Sequence, residues 1–352
     1  MPRYVYAGAA PWIAASAEAR TGGLYRLDPE NGEWRKLTAG LPEGVEARCI
    51  AARPGAPEVI YVGTQTGPYR SSDGGESWRA LPLPGKERLV WSILLHPSDE
   101  RTLYVGTQGT TIYRSRDGGE TWQELTPPEP KGMVATSFPC RVIRLASDAD
   151  DPSTLYAGLE VGGVMRSRDG GESWQGCNGG LLDFASEPRF RSRIVSDTET
   201  EGMMDSHALA TSPASPGTVF LANRMGLFRS ADRGLHWQEM GIGRFSPLTY
   251  ARDVKVSRHD PQTMYAALSV AAVSDEGSLY RSRDLGESWQ RFDHGVAMKS
   301  TLMIIAESPG DPARIYCATR KGQVFGTEDG GRRWREYRLP DGVEGVYGLW
   351  AA

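Results

Sequence analysis

Hydrophobic and polar positions alternate in short runs along the whole chain, and residues typical of turns separate the runs. One representative unit begins with the run Val90 to Leu95, which ends in a turn rich in Pro and Asp. A second run, Thr102 to Gly106, and a third, Ile112 to Ser115, follow after short connections. Alternation with a period of two is typical of strands, and short strands at regular spacing indicate an all-β array of sheets. A fourth strand is expected to start at Trp122, which gives four strands per unit.

A phrase that reads Ser-x-Asp-x-Gly-x-Thr/Ser-Trp in its best copies follows the third strand of each unit, with looser copies in the later units and a worn copy, Asp28 to Trp34, in the first. The glycine permits a positive φ in a tight turn, and the Asp carboxylate can accept hydrogen bonds from backbone N–H groups across that turn. The Trp offers a large apolar face between neighbouring sheets. Seven equivalent copies on one rim cannot converge on a single substrate, so we interpret these aspartates as structural rather than catalytic or calcium-binding. The copies end at Trp34, Trp78, Trp122, Trp174, Trp237, Trp289 and Trp334.

The spacing of the copies predicts the architecture. Successive Trp residues are 44, 44, 52, 63, 52 and 45 positions apart, and the shortest interval suits a four-stranded propeller blade. The first run, Tyr4 to Ala7, reads as the second strand of its blade, and the last run, Val346 to Trp350, resembles an innermost strand. Together the two runs would complete one sheet and remove an open edge. The sequence therefore predicts an all-β, seven-bladed β-propeller of four-stranded blades, closed by N- and C-terminal strands sharing one blade, with residues 1–352 in a single domain.

The repeated phrase resembles the Asp-box of the BNR-repeat propellers, and this resemblance covers essentially the whole chain. Similar boxes occur in sialidases, xyloglucan-cleaving glycoside hydrolases, sortilin-type receptors and photosystem II assembly factors. Sialidase activity would imply an Arg-Ile-Pro phrase and a Tyr/Glu nucleophile pair, and neither can be matched in this sequence. Classical sialidase activity is therefore not expected. The Gly-Gly form of the box is more similar to the sortilin and assembly-factor branch, which implies partner binding without chemistry.

Charge and composition narrow the classes of partner. The formal net charge is −4 and no basic stripe stands out, so we expect no nucleic-acid partner. No apolar run approaches the roughly 18 residues of a membrane-spanning helix, and no apolar segment precedes the first strand, so we expect a cytoplasmic protein without a membrane partner. The four cysteines lack CxxC spacing, which argues against a zinc site or a disulfide framework. We expect neither a metal nor a cofactor.

A ligand site is expected on the face opposite the Asp-boxes, called here the top face, which carries the loops between blades. Aligning the first strand of every blade places one side chain per blade at the mouth of the central channel. Arginines there can clamp a carboxylate or phosphate, and aromatic rings can stack on a ligand. The rival interpretation is structural, because 34 of the 40 basic residues are Arg and each can simply pair with a neighbouring carboxylate. The aligned residues are Tyr347, Arg48, Trp91, Arg141 or Ile143, His207, Arg252 and Met303.

The longest top loop joins the fourth and fifth blades, from about Cys177 to Ser206. A loop above about 15 residues in a compact domain is usually functional or disordered, and the apolar content of this one favours an ordered lid. Its Arg191 and Arg193 complete the predicted set of ligand-binding residues.

Proton-transfer chemistry would need a titrating group and carboxylates near the same mouth. His207 is the candidate of choice, because its ordinary pKa lies near neutrality, although a lone His is more often structural. Asp205, Glu201 and Asp253 are candidate general acids or bases, since a glycoside hydrolase needs two carboxylates at a defined separation.

Two functions follow from these features. The first is the binding of a small anionic molecule (a carboxylate, a phosphate or a sugar acid) in the central top-face pocket, with hydrolase or lyase chemistry of the glycoside-hydrolase type. The second is a non-catalytic scaffold or assembly factor that binds a protein partner through its top loops. A narrow pocket would favour the first, and an open, flat, aromatic-rich top would favour the second.

Overall fold

The computed structural model describes residues 3–11, 22–53, 55–85 and 89–352. Within these residues 28 strands form seven four-stranded sheets. The innermost strands of successive sheets contact one another in a closed ring. The predicted seven-bladed propeller of four-stranded blades is confirmed.

The blades follow one another along the chain, and each runs from an innermost to an outermost strand. The first four are blade one, β28 (Val346–Ala351), β1 (Val5–Ala9), β2 (Gly23–Asp28) and β3 (Glu33–Leu37); blade two, β4 (Ala47–Arg53), β5 (Ala56–Thr64), β6 (Gly67–Ser71) and β7 (Arg79–Ala80); blade three, β8 (Val90–Leu95), β9 (Leu103–Thr107), β10 (Ile112–Ser115) and β11 (Gln123–Leu125); and blade four, β12 (Val142–Ser147), β13 (Leu155–Leu159), β14 (Gly163–Ser167) and β15 (Gln175–Gly176). The others are blade five, β16 (Ser206–Thr211), β17 (Val219–Asn223), β18 (Gly226–Ser230) and β19 (Gln238–Glu239); blade six, β20 (Tyr250–Val256), β21 (Met264–Ser269), β22 (Gly277–Ser282) and β23 (Gln290–Arg291); and blade seven, β24 (Leu302–Glu307), β25 (Ile315–Thr319), β26 (Val324–Thr327) and β27 (Arg335–Glu336).

Blade one closes the ring as predicted. Its innermost strand β28 comes from the C-terminal end of the chain and pairs antiparallel with β1. The edge of β1 is therefore covered, and the ring has no unpaired inner strand at this blade.

Helices within the described residues are few and short. The helices α1 (Gly179–Ala185) and α2 (Glu201–Met204) and a 3-10 turn (Pro188–Phe190) lie in the segment between blades four and five. A further 3-10 turn (Ile242–Arg244) lies between blades five and six. None of these helices is long and apolar enough to cross a membrane.

The Asp-boxes lie between the third and fourth strands, and blade four shows how they hold the turn. The Ser167 hydroxyl donates to Asp169 Oδ1 at 2.8 Å and accepts the Gly171 N–H at 2.8 Å. The Ser173 N–H donates to the same carboxylate at 2.9 Å. Hydrogen bonds from Ser173 and Ser167 lower the pKa of Asp169 to about 2. These contacts occupy the carboxylate within its own turn, in agreement with the structural interpretation of the boxes.

In several blades an arginine that precedes the Asp-box binds the Asp-box of the next blade. In blade three, Arg114 is 3% exposed and donates to the Gly170 carbonyl of the next box at 2.8 Å. The same guanidinium pairs with Glu172 of that box. Arg26 makes the equivalent pair of contacts with Gly74 and Glu76 in blade two. Box and arginine together therefore join neighbouring blades at the bottom face.

Candidate functional site

Each innermost strand carries a β-bulge at the position that the aligned sequence places at the channel mouth. In blade two, for example, Ala47 pairs with Thr64 and Cys49 pairs with Gly63, so Arg48 has no partner in the ladder. A bulge leaves one residue unpaired and re-aims its side chain. The seven unpaired residues, called here the bulge ring, are Arg48, Trp91, Ile143, His207, Arg252, Met303 and Tyr347.

All seven residues of the bulge ring line one cavity on the axis of the propeller. The cavity has a volume of about 70 Å³, whereas one water needs about 10–15 Å³ of such space. It therefore holds a few waters or one small polar head group, and a larger ligand would extend beyond it toward the top face. We call this the upper cavity.

Three members of the ring form a stacked cation–aromatic wall. The Arg48 guanidinium lies 4.4 Å from the Trp91 ring centroid and 5.6 Å from that of Tyr347. The two aromatic rings meet edge to face at 5.7 Å. Arg48 also donates to Glu46 at 2.6 Å, but its Nε and Nη1 are buried without a hydrogen-bond partner among the described residues. The wall is thus rigid and keeps unused donors.

The structure settles which residue of blade four belongs to the ring. Ile143 occupies the bulge and lines the upper cavity. Arg141 lies two positions earlier, outside the cavity lining, with its guanidinium 4.8 Å from the Trp91 centroid and 4.7 Å from that of Phe138. Its Nη1 is bound to Glu160 at 2.5 Å. Arg141 therefore extends the aromatic wall outward and holds a carboxylate near it.

Arg252 differs from the other two arginines of the predicted set. It lines the upper cavity, and within the described part of the chain its guanidinium forms neither a hydrogen bond nor an ion pair. The groups close enough to act on its charge are Tyr250, Tyr347, Asp205 and Glu160. Arg252 is thus a partly buried cation at the mouth with its donors unused.

Asp205 and His207 lie side by side near Arg252, and Arg224 is bound to Asp205. His207 Nδ1 lies 2.7 Å from the Ala251 carbonyl oxygen, and Nε2 lies 3.3 Å from Asp205 Oδ2. Arg224 donates to the same Oδ2 from Nε and Nη2 at 3.0 and 2.6 Å. Burial would raise the pKa of Asp205, but the hydrogen bonds from Arg224 and the charges of Arg224 and Arg252 outweigh it and hold the pKa below its usual range. Asp205 is therefore ionised at neutral pH.

Burial lowers the pKa of His207 below its ordinary value, against the opposing charge of Asp205. The ring is therefore neutral at pH 7, and we assign its one proton to Nδ1, which faces the Ala251 carbonyl. A second proton on Nε2 would be shared with Asp205. The pair can therefore accept one proton from a ligand at the mouth.

Glu160 is a functional candidate that the sequence analysis missed. Burial raises its pKa to about 7, with the charge of Asp205 adding to the rise and that of Arg141 opposing it. Its side chain keeps 21% exposure. The next residue, Val161, has a φ of 55°, which is strained for a β-branched residue and is typical of positions that the surrounding structure over-determines.

A second sequence column would have found Glu160. It is the residue that directly follows the second strand of blade four, and Arg224, the partner of Asp205, occupies the same place in blade five. The residue that follows the second strand of each blade lies on the top face, so aligning these residues across the blades would place Glu160 and Arg224 near the channel mouth. Neither is part of a motif, and the loop after β13 is only three residues long.

Six of the predicted site residues lie outside the upper cavity lining: Arg141 and Asp205, described above, and the four that follow. Arg191 and Arg193 are about half exposed and pair with Glu199. Glu201 is buried, and its carboxylate accepts the backbone N–H groups of residues 194–196. Asp253 is fully buried and accepts the Ile305 N–H at 3.0 Å. These contacts give Glu201 the role of holding a loop and Asp253 that of joining two blades.

The segment from Cys177 to Ser206 is ordered, with α1 and α2 inside it. Leu181, Phe190 and Met204 are buried in a cluster with side chains of blades four and five. No residue from Cys177 to Asp205, the part of this segment that precedes the inner strand of blade five, lines the upper cavity. The apolar content that suggested a lid therefore anchors the segment on the two blades.

Comparisons with known proteins fit this fold. A family model described as Sortilin-Vps10 (sortilin, neurotensin receptor 3) matches residues 67–184. Xyloglucanase Xgh74A of Acetivibrio thermocellus is 25% identical over an alignment of 216 positions, which covers 51% of this chain and 24% of that protein. The chain thus spans about a quarter of the length of this curated relative.

Solved structures show the same fold. The GH74 xyloglucanase of Xanthomonas campestris aligns with all of this chain and 52% of its own, with a TM-score of 0.68 and 19% identity. YCF48 of Cyanidioschyzon merolae aligns over 89% of both chains, with a TM-score of 0.60 and 14% identity. The seven-bladed ring, its repeated boxes and these matches fit the Asp-box, or BNR-repeat, propeller family, and xyloglucanases are among the relatives that match about half of the chain.

Proposed function

We propose that the chain binds a small anionic molecule at the upper cavity and acts on it as a hydrolase or lyase. Arg252 carries the proposal, because it is a partly buried cation that lines the cavity without a hydrogen-bonding or ion-pair partner among the described residues. Burying an unpaired charge is unfavourable. A ligand anion would remove that cost, and guanidinium groups match carboxylates and phosphates bidentately.

The dimensions of the cavity restrict the class of ligand. A volume of about 70 Å³ admits a head group and excludes a whole polysaccharide chain. Trp91 and Tyr347 offer aromatic faces beside the cation, which suits a sugar acid or another ring that carries a carboxylate or phosphate.

Glu160 and Asp205 supply the acid–base chemistry of the proposal. Glu160, with a pKa raised to about 7, is partly protonated near neutrality, while Asp205 is ionised. Two carboxyl groups whose environments push their pKa values apart are suited to the roles of general acid and general base. Glycoside hydrolysis uses such a pair, and the xyloglucanase relatives support that type of reaction.

Binding is tested by thermal-shift and calorimetric titrations with glucuronate, galacturonate and inorganic phosphate. At least one of these anions is expected to raise the melting temperature, and Arg252→Met is expected to abolish the shift. The matched control is Arg332→Met, which removes an exposed arginine from an Asp-box on the bottom face. The absence of any shift in the unmodified protein, or an undiminished shift in Arg252→Met, would refute the proposal.

Catalysis is tested separately with 4-nitrophenyl glucuronides and galacturonides. Glu160→Gln and Asp205→Asn are each expected to lower kcat by about 100-fold or more, the usual contribution of a general acid or base. Turnover that is unaffected by both changes would exclude the assigned roles while leaving the binding proposal intact.

A second candidate function is a scaffold that binds a protein partner through the top loops. It is favoured by exposed apolar side chains on two of these loops, Ile194 and Val195 before α2 and Val270 and Val273 after β21. Their exposed fractions lie between 47% and 64%. A scaffold predicts that none of the three anions binds and that Arg252→Met behaves like the unmodified protein.

A further inference from the structure

The central channel continues below the bulge ring and widens toward the Asp-box face. Beneath the upper cavity lies a middle section of about 300 Å³, which opens into a funnel of about 880 Å³ at the bottom face. Arg144 and Lys255 border both the upper and the middle sections, and Arg258 borders both the middle section and the funnel. A molecule can therefore reach the middle section from the bottom without passing the bulge ring.

The wall of the middle section is mainly aliphatic. Side chains of a strand alternate between its two faces, so the residue two positions after each bulge faces the same axis one layer down. Six of the blades place Ile or Leu there, and all six side chains line the middle section. They are Ile50, Ile93, Leu145, Leu209, Ile305 and Leu349.

Three cations and two carboxylates share this aliphatic section. Asp253 Oδ1 lies 3.5 Å from Arg144 Nη2, and its Oδ2 lies 3.9 Å from Lys255 Nζ. Both oxygens also accept backbone N–H groups, those of Val254 and Ile305. One buried carboxylate thus faces two cations at distances longer than a close ion pair.

The third cation is also without a close carboxylate partner. Glu307 accepts the Ser257 hydroxyl at 2.6 Å and the Arg258 backbone N–H at 2.7 Å. Among the described residues the Arg258 guanidinium forms no ion pair; it lies 5.7 Å from the Trp350 ring centroid and is near the charge of Glu307. At the funnel rim, the positive charge of Arg53 is balanced in number by the negative charge of Glu100. The three cations and two carboxylates of the middle section therefore leave the lower half of the channel with an excess of positive charge.

Burial disfavours the positive charge of Lys255. It lowers the pKa of Lys255 to about 8, against the opposing effect of Asp253, with Arg144 and Arg258 lowering it further. Arg144 Nε is buried without a hydrogen-bond partner in the described part of the chain. Arg144 and Lys255 therefore share the single carboxylate of Asp253, which leaves a net positive charge beside the aliphatic wall.

We propose that the middle section of the channel is a second binding site, entered from the bottom face, for a small anion with an aliphatic chain, such as a medium-chain carboxylate. Arg144 and Lys255 hold the carboxylate, and the chain lies along the ring of Ile and Leu side chains toward Arg258 and Trp350. The volume of about 300 Å³ is at the lower limit of small-molecule pockets. The site does not depend on the function proposed for the upper cavity.

Calorimetric titration with acetate, butyrate and hexanoate tests this site. Affinity is expected to rise about fourfold with each added methylene, because each one leaves water for an apolar wall. Lys255→Met and Arg144→Met are expected to weaken hexanoate binding at least tenfold. Arg332→Met, on the outer rim, is the control and should change it less than twofold.

Hexylammonium separates the charge requirement from general hydrophobic binding, because it has the same chain with the opposite head group. The absence of hexanoate binding, equal affinity for acetate and hexanoate, or equal affinity for hexanoate and hexylammonium would overturn the proposal. Diffraction from crystals of the unmodified protein with 6-bromohexanoate gives a test that needs no variant. A bromine anomalous peak among the six Ile and Leu residues supports the site, and a peak only elsewhere contradicts it.

Discussion

Single arginines in this chain differ mainly in their partners. Arg114 is bound to the neighbouring Asp-box, Arg48 is stacked between aromatic rings, and Arg252 has no bonded partner among the described residues. The same side chain therefore serves as a tie between blades, as part of a wall and as a candidate ligand contact. Composition could not separate these roles, because 34 arginines look alike until their carboxylate and carbonyl neighbours are located.

Glu160 should give the folded state a distinct pH dependence. Its pKa is about 7 in the folded chain and about 4.3 in an unfolded one. Because the folded value is the higher one, the stability contributed by the protonated group is fully present below the unfolded pKa and is lost as pH rises through the folded pKa. We expect the free energy of unfolding of the unmodified protein, relative to Glu160→Gln, to fall between about pH 4.3 and pH 7.

Urea unfolding of both proteins at several pH values in this range measures the difference. The exposed Glu43→Gln variant is the control for the loss of a carboxylate as such. A difference between unmodified protein and Glu160→Gln that stays constant across the range would show that Glu160 ionises normally in the folded chain.

The channel-mouth column could be read from the sequence, since repeats place equivalent residues at equivalent heights. Six of its seven positions were unambiguous, and the structure resolves the seventh in favour of Ile143. The bulges that turn these side chains inward left no sequence signal of their own. Glu160 was missed because it lies outside the first-strand column, in a loop of three residues that belongs to no motif.

At the scale of elements, the Asp-box and the third strand before it form one connecting unit. The box bonds fix the turn internally, as Ser167 and Asp169 show in blade four. The arginine just before a box reaches across to the box of the following blade, as Arg114 does with Gly170. The repeated phrase thus stabilises both its own turn and the interface between blades.

Replacing Arg114 should therefore weaken the interface between blades three and four. Arg114→Met leaves the Gly170 carbonyl without this donor and removes an ion pair with Glu172. We expect a loss of about 1–3 kcal/mol in the free energy of unfolding, the usual contribution of hydrogen bonds from a charged group, while Tyr104 still donates to the same carbonyl. Urea or thermal unfolding measures it.

Arg116→Met is the matched control for that measurement. Arg116 is 70% exposed and lies 3.9 Å from the same Glu172, so its removal should change stability by less than about 0.5 kcal/mol. Equal losses in the two variants would mean that the contact with the neighbouring box carries no special weight.

The elements themselves were predictable to different degrees. The first and third strands of blade three match the predicted runs, Val90–Leu95 and Ile112–Ser115, because period-two alternation reports burial directly. The fourth strands have only two residues in most blades, such as Arg79–Ala80. The segment after Cys177 forms helices on the blades, and its hydrophobic content could not distinguish that anchoring from a lid over the channel.

At the scale of the whole molecule, the ring follows from the sequence, whereas the shape of the channel does not. Seven repeats and two complementary chain ends specify the closed ring, and β28 pairs with β1 as expected. The width of the channel depends on how seven inner side chains pack at each height. That packing makes the channel narrow at the bulge ring and wide at the Asp-box face. A ligand can therefore also be sought at the bottom face of the molecule.

The central claim is that the bulge ring forms an anion site around Arg252. Anomalous diffraction from crystals soaked in sodium bromide tests it most directly, because bromide stands in for the anionic head group and reveals its own position. The account predicts a bromide peak inside the bulge ring within hydrogen-bonding distance of the Arg252 guanidinium, and no such peak in crystals of Arg252→Met. Bromide bound at other arginines, with none in the bulge ring of the unmodified protein, would contradict the account.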